Sequence, residues 1–188
     1  MIERNTKETK IKLKLEIYGT GKSKINTKIG FLNHMLEAFA KHSLMDLEVE
    51  CDGDIEVDFH HSVEDIGIVL GMALKEQIYP VQNIERYSNS VVVMDESAVS
   101  CDLDISNRAF LVYDSIKEGL IGEFDSELIE EFFRAVAFNA GITLHLIKLR
   151  GSNKHHIAEA TFKAFAVALR RALTKNEKMG IPSTKGVL

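Results

Sequence analysis

From Lys10 to Ile17 polar and apolar residues alternate, the period-2 pattern of a strand with one buried face. The following "SKINTKI" is expected to return antiparallel beside it across a turn at Gly19–Gly21. The turn sequence "GTGKSK" lacks the spacing of a phosphate-binding loop and reads as a hairpin connection. In "FLNHMLEAFAKHS" the apolar residues Leu32, Met35, Leu36 and Phe39 recur at helical spacing, and "LMDLEVECDGD" reads as a further strand. "SVEDIGIVLGMALKEQI" places Val63, Ile66, Val69, Leu70, Ala73 and Leu74 on one helical face, and the first half ends near Pro80.

The series is then written again. Strands are predicted at "SVVVMDE", "AVSCDLDI" and "AFLVYD", then a helix over about 126–139, a strand "GITLHLIKL" and a long helix over about 156–173. At an offset of 97, Leu36, Ala38, Ala40, Leu47 and Val49 fall on Phe133, Ala135, Ala137, Leu144 and Leu146. After a two-residue gap, His60, His61, Glu64 and Leu74 fall on His155, His156, Glu159 and Leu169. This pattern implies an internal duplication, with half-repeats at 1–84 and 85–188 forming one compact domain. Each half offers a strand-rich βββαβα-like unit whose helices are too apolar to leave in water. The fold class expected is α+β, with the helices packed between two small sheets.

Composition narrows the function. A formal net charge of −5 argues against a nucleic-acid partner, which normally requires a basic surface. No apolar run approaches the roughly 20 residues that span a bilayer, and "MIERNTKETK" is unlike a secretory signal, so no membrane partner and a cytoplasmic location are expected. Two cysteines, Cys51 and Cys101, both in strand-like stretches, give no disulfide framework.

Seven histidines are the compositional feature that matters, because four lie in two HHxxE units. On a helix, residues three and four apart share a face, so Glu64 can reach a metal alongside His61 or His60, and Glu159 alongside His156 or His155. Adjacent helical side chains diverge by about a quarter-turn or more, so each neighbouring pair favours two different ions. A lone histidine is usually a packed or surface residue, but His145, interrupting the apolar alternation of "GITLHLIKL", and His34 are also placed for ligation. Together these six histidines and two carboxylates would supply four ligands to each of two metals. Imidazole plus carboxylate without thiolate suits a Mn-like or Fe-like octahedral ion with open positions, and the ligand types also admit Zn.

The segments "GFLNHMLEAFAKHSLMDLEVECDGD", "VDFHHSVEDIGIVLGMAL", "FFRAVAFNAGITLHL", "NKHHIAEATFKAFAVALRRAL" and "IPSTKGVL" together resemble the imidazoleglycerol-phosphate dehydratases, enzymes of histidine biosynthesis. The resemblance runs from near Thr6 to Leu188. It implies conversion of imidazole glycerol phosphate to imidazole acetol phosphate and water, two Mn²⁺ per active site, and the metal ligands His34, His60, His61, Glu64, His145, His155, His156 and Glu159. It also implies a homo-oligomer, a 24-subunit shell with active sites at subunit contacts. Substrate-side residues would fall on Glu8, Arg86, Arg108, Lys163, Ser183 and Lys185, the basic ones forming a phosphate clamp. Three places depart from the family pattern: Asn33 and Phe59 stand where an Asp is usual, and "SNRAF" where "SGRPY" is usual. The first two bear on how His34 and His60 are oriented, since carboxylates commonly hold the non-ligating ring nitrogen.

The implied elimination removes a proton from a carbon with no adjacent carbonyl, so the substrate's imidazole ring must act as the electron sink. Glu8, Glu64 and Glu159 are the candidates for moving protons. A dinuclear metallohydrolase or a metal-binding protein would use similar ligands, and the "NAGITLH" and C-terminal Ser/Lys segments favour the dehydratase. Because His34 and the two HHxxE units lie in elements of different halves, neighbouring subunits are expected to complete each other's metal sites.

Overall fold

A computed structural model describes residues 1–116 and 118–188. The first half contains β1 (Ile2–Asn5), β2 (Thr9–Glu16), β3 (Ser23–Asn26), α1 (Gly30–Ser43), β4 (Asp46–Gly53) and α2 (His60–Ile78). The second contains β5 (Tyr87–Met94), β6 (Ser97–Asp104), β7 (Phe110–Asp114), a short hairpin of β8 (Leu120–Ile121) and β9 (Phe124–Asp125), α3 (Glu127–Ala140), β10 (Thr143–Arg150) and α4 (Lys154–Ala172). Their sheets have matching orders, β1-β2-β4-β3 and β5-β6-β10-β7. The pairing senses match as well: two antiparallel contacts, then one parallel contact to β3 or β7. Helices α1 and α3 are both 14 residues long, and α2 and α4 both 19, as a duplicated unit requires.

One expected pairing is corrected. The segment after the Gly19–Gly21 turn forms β3, but it does not return beside β2: β4 lies between them and runs parallel to β3. The turn is therefore a crossover rather than a hairpin. It passes over the start of β4, where the Asp46 carboxylate accepts the backbone N–H groups of Thr20 and Lys22. Gly19 allows this approach, since a Cβ there would lie 2.5 Å from the Asp46 nitrogen.

Alternation along the strands sends Ile11, Leu13, Leu15, Leu47, Val49 and Cys51 inward from one sheet, and Val99, Cys101, Leu103, Leu144 and Leu146 inward from the other. Helices α2 and α4 cover these faces, and the halves join through α1 with α4 and α2 with α3. Phe39 of α1 stacks on Phe165 of α4, and Phe133 meets both Phe162 and Phe165. Between α2 and α3 the backbones approach closely because Gly67 and Gly71 face Phe132, Ala135 and Val136.

The outward faces differ. On the first sheet Lys10, Lys12 and Lys14 stand opposite Asp52, Glu50 and Glu48. On the second, Tyr87, Val91, Val93, Phe110 and Leu149 are exposed. No helix among the described residues is long and apolar enough to cross a membrane.

Candidate active site

Both HHxxE units open a long helix. In α4, Asn153 caps the N-terminus by accepting the backbone N–H groups of His155 and His156, and Asp58 accepts that of His60 ahead of α2. The two acceptors stand at the same distance before their motifs, but Asn153 holds two amides of its helix and Asp58 one. Each first histidine then faces the glutamate four residues on, His60 Nε2 at 3.8 Å from Glu64 and His155 Nε2 at 3.4 Å from Glu159. Each second histidine turns away, with interplanar angles of 85° in both pairs. This divergence is what helix geometry gives adjacent side chains.

Where α1 crosses α4, His34 joins His155 and Glu159. One ligand atom from each of the three lies within 4.8 Å of the others, the set among the described residues able to hold a metal ion. The two oxygens of Glu159 have separate partners: Oε1 lies 2.6 Å from Lys163 Nζ, and Oε2 lies 3.4 Å from both His34 Nε2 and His155 Nε2. Burial pushes the Glu159 carboxyl up, but Lys163 and His34 outweigh it and hold the group below the usual carboxylate range. A buried, ionised carboxylate oxygen facing two imidazole nitrogens is a donor set for a divalent ion. His34, whose side chain is half exposed, leaves the outer side open to a further ligand.

The remaining predicted ligands lie outside this group. His61 stands with its Nδ1 3.0 Å from Asp54 and its Nε2 3.9 Å from Glu8, which lies in the β1–β2 turn. His156 has its Nδ1 2.7 Å from Glu96 and its Nε2 3.7 Å from Asp95, both in the β5–β6 turn. The contact with Asp54 raises the pKa of His61, and that with Glu96 raises His156. Glu96 is held well below the carboxylate range by His156 and by the amide of Asn153. His145 lies on the outer face of the second sheet, in a cavity of about 500 Å³ with Tyr87, Asn89, Asp102 and Asp104.

Of the substrate-side candidates, Lys163 alone touches the three-residue group. Arg86 is buried, with φ +70°; it pairs with Asp104 at 2.7 Å and donates to the Pro182 carbonyl, which ties down the C-terminal segment. Arg108 is exposed and 3.6 Å from the same Asp104. Ser183 accepts the Lys185 amide through its hydroxyl, in the segment that Arg86 anchors. At the departures from the family pattern, Asn33 accepts the amide and hydroxyl of Thr27, closing the turn before α1, and the Phe59 ring stacks on Phe124.

Three groups carry chemistry that the sequence pattern did not single out. Glu96 contacts a histidine 60 residues along the chain and Asp54 one seven residues on across a loop, and neither separation is a helix or strand spacing that would mark the pair. His42 did carry a signal, standing eight residues after His34 on the same helix; burial, with Lys163 and Arg170 nearby, lowers its pKa.

Comparison with known proteins follows the same geometry. The family model for imidazoleglycerol-phosphate dehydratase matches residues 27–169, which include every predicted metal ligand. A Campylobacter hominis protein named imidazoleglycerol-phosphate dehydratase is 69% identical over 185 residues, covering 98% of this chain and 97% of the relative. A Wolinella succinogenes relative of the same name is 64% identical over 187 residues, covering 100% and 98%. The crystal structure of the Staphylococcus aureus dehydratase superposes with a TM-score of 0.82 at 42% identity, covering 93% of this chain and 98% of that one. The Pyrococcus furiosus structure superposes with a TM-score of 0.86 at 37% identity, covering 100% of both chains. With its doubled motifs, its paired sheets and most of its length matched, the chain is a lyase that belongs to the imidazoleglycerol-phosphate dehydratase family.

Proposed function

We propose that this protein removes water from imidazole glycerol phosphate to give imidazole acetol phosphate, using two Mn²⁺ per active site, in the cytoplasm. The observation that carries the metal reading is the group His34, His155 and Glu159, whose ligand atoms lie within 4.8 Å of one another beside an ionised, lysine-paired carboxylate. His60, His61, Glu64, His145 and His156 complete the ligand set. Among the described residues they do not gather with that group within one chain, so in this reading copies of the protein meet to assemble both centres. The apolar outer face of the second sheet carries His145, and in this reading a neighbouring subunit covers it. The family resemblance supports a 24-subunit shell, with each chain contributing half-repeats 1–84 and 85–188.

A divalent metal held by these residues would supply a Lewis acid that favours the imidazolate form of the substrate's ring, whose electron density helps to expel the hydroxyl on the ring-attached carbon, after which the ring can accept the electrons of the broken C–H bond. The chain's own groups do the rest. Glu8, half exposed beside His61 and without a lysine pair among the described residues, takes the proton from the carbon next to the one that bears the leaving hydroxyl in this reading. Glu64 and Glu159 hold charge and orientation, Glu159 being already committed to Lys163 through Oε1. The hydroxyl leaves with a proton as water, and the enol left behind tautomerises to the ketone. Arg108, Lys163, Ser183 and Lys185 take the phosphate, while Arg86 fixes Asp104 and the C-terminal segment that carries two of them.

The test is an assay of purified, chelator-treated protein with imidazole glycerol phosphate. Ketone product should appear only when Mn²⁺ is restored. Full turnover in chelator would remove the metal from the reaction, and release of inorganic phosphate in place of ketone would favour a metallohydrolase.

A further inference from the structure

We propose that Asp54 and Glu96 are positioning residues that select, for His61 and His156 respectively, the tautomer able to bind metal through Nε2. The inference rests on the reading of these two histidines as ligands. Asp54 presents its oxygens to His61 Nδ1 at 3.0 and 3.2 Å, and Glu96 presents Oε2 to His156 Nδ1 at 2.7 Å. An ionised carboxylate only accepts, so in the neutral ring Nδ1 carries the proton and the lone pair lies on Nε2, the nitrogen turned away from Asp54 or Glu96.

The two carboxylates are not copies of one ancestral residue. Asp54 follows β4, and the position matching it after β10, at the offset of 97 that relates these strands, is Gly151. A side chain cannot stand there: φ is +116° and a Cβ would lie 2.2 Å from Ser97 Oγ. Glu96 supplies the contact instead, from the turn before β6. The equivalent residue before β2 is Glu8, which faces the opposite nitrogen of His61. Two unrelated positions thus deliver the same hydrogen bond to the same ring atom of the repeated motif. It is the contact that the site requires, and the residue that provides it has changed.

Glu96 is also fixed in place. Its Oε1 accepts the Ser97 hydroxyl at 2.9 Å and the amides of Asn153 at 2.8 Å and Ser152 at 3.3 Å, leaving Oε2 for His156. In Glu96→Gln the amide oxygen must remain on those three donors. The amide nitrogen then faces His156 and donates to Nδ1, which drives the ring proton onto Nε2 and blocks ligation. Asp54 has no other donor on its side-chain oxygens among the hydrogen bonds of the described residues, so Asp54→Asn can turn its oxygen to His61 and keep the tautomer.

The experiment titrates Mn²⁺ into chelator-stripped, full-length protein and reads free Mn²⁺ by electron paramagnetic resonance, with thermal melting of the metal-free protein alongside. Glu96→Gln and Asp54→Ala should each weaken binding by about 10–100-fold, Asp54→Asn should bind nearly as wild type, and the melting of Glu96→Gln should be unchanged. Simple loss of negative charge would instead weaken Glu96→Gln and Asp54→Asn alike, and that result overturns the proposal. Should Glu96→Gln fail to fold, the contrast of Asp54→Ala with Asp54→Asn decides the same question at His61. His156→Ala is the control: if it binds as wild type, the ligand reading fails and the proposal with it. If it weakens binding while Glu96→Gln does not, the proposal alone fails.

Discussion

Replacing Lys163 with Met keeps the alkyl stem and removes the ammonium that lies 2.6 Å from Glu159 Oε1. The pair is sheltered, with 22% of the Lys163 side chain and 9% of the Glu159 side chain exposed. An exposed pair contributes at most ~1 kcal/mol, while removing one partner from a fully buried pair costs ~3–5 kcal/mol. This pair lies between those limits, so Lys163→Met should cost about 2 kcal/mol in metal-free protein at neutral pH. For a chain of this length, that lowers Tm by roughly 4–8 °C. The pH dependence has a definite sign. The folded pKa of Glu159 is depressed below 4.5, so the stability it contributes is present above that value and is lost as pH falls through the folded pKa. In the variant, burial is left with weaker opposition and the carboxyl titrates higher. The deficit relative to wild type should therefore shrink as pH is lowered from about 7 to about 4. Mn²⁺ gives a second check, because a cation on the Oε2 side replaces part of the missing charge and should raise the Tm of the variant more than that of wild type. Calorimetry on chelated and Mn²⁺-loaded protein measures both effects. A variant that melts with wild type at neutral pH without metal would refute the claim that Lys163 sustains the ionised carboxylate.

The α2–α3 contact should be intolerant of one added methyl group: in Gly71→Ala the new Cβ would lie 2.8 Å from the Val136 carbonyl and 2.7 Å from Asn139 Cβ, at a cost of about 1–3 kcal/mol by denaturant unfolding. Gly30→Ala, near the start of α1 with nothing within 4 Å of the added Cβ, should instead hold or raise stability. Because only three of the eight proposed ligands gather within one chain among the described residues, the shared-centre proposal expects chelation to shrink the particle to a trimer, and Mn²⁺ to restore size and activity together by light scattering and assay. A monomer turning over substrate at full rate would refute the shared centre.

Local pattern carried most of the fold. Strand alternation in "IKLKLEI", helical spacing in "FLNHMLEAFAKHS" and the recurrence at an offset of 97 depend on which face of an element is buried, and a sequence records that directly. The doubled HHxxE units were legible for the same reason, since i,i+4 neighbours share a helix face whatever surrounds them, and Glu159 does face His155. Pairing across the sheet was not legible. "SKINTKI" has the alternation of a strand but no mark of its neighbour, and β4 took the place beside β2 because strand partners are chosen by long-range packing. The same limit governed the site. That His34 meets Glu159 across 125 residues of chain depends on α1 crossing α4, and that Glu96 rather than a residue after β10 reaches His156 depends on the space Ser97 occupies against Gly151. Sequence spacing determines what residues within a few turns can do together. Only the packed structure decides which distant turns meet, because burial of apolar faces brings them together without any local chemical signature at the point of contact.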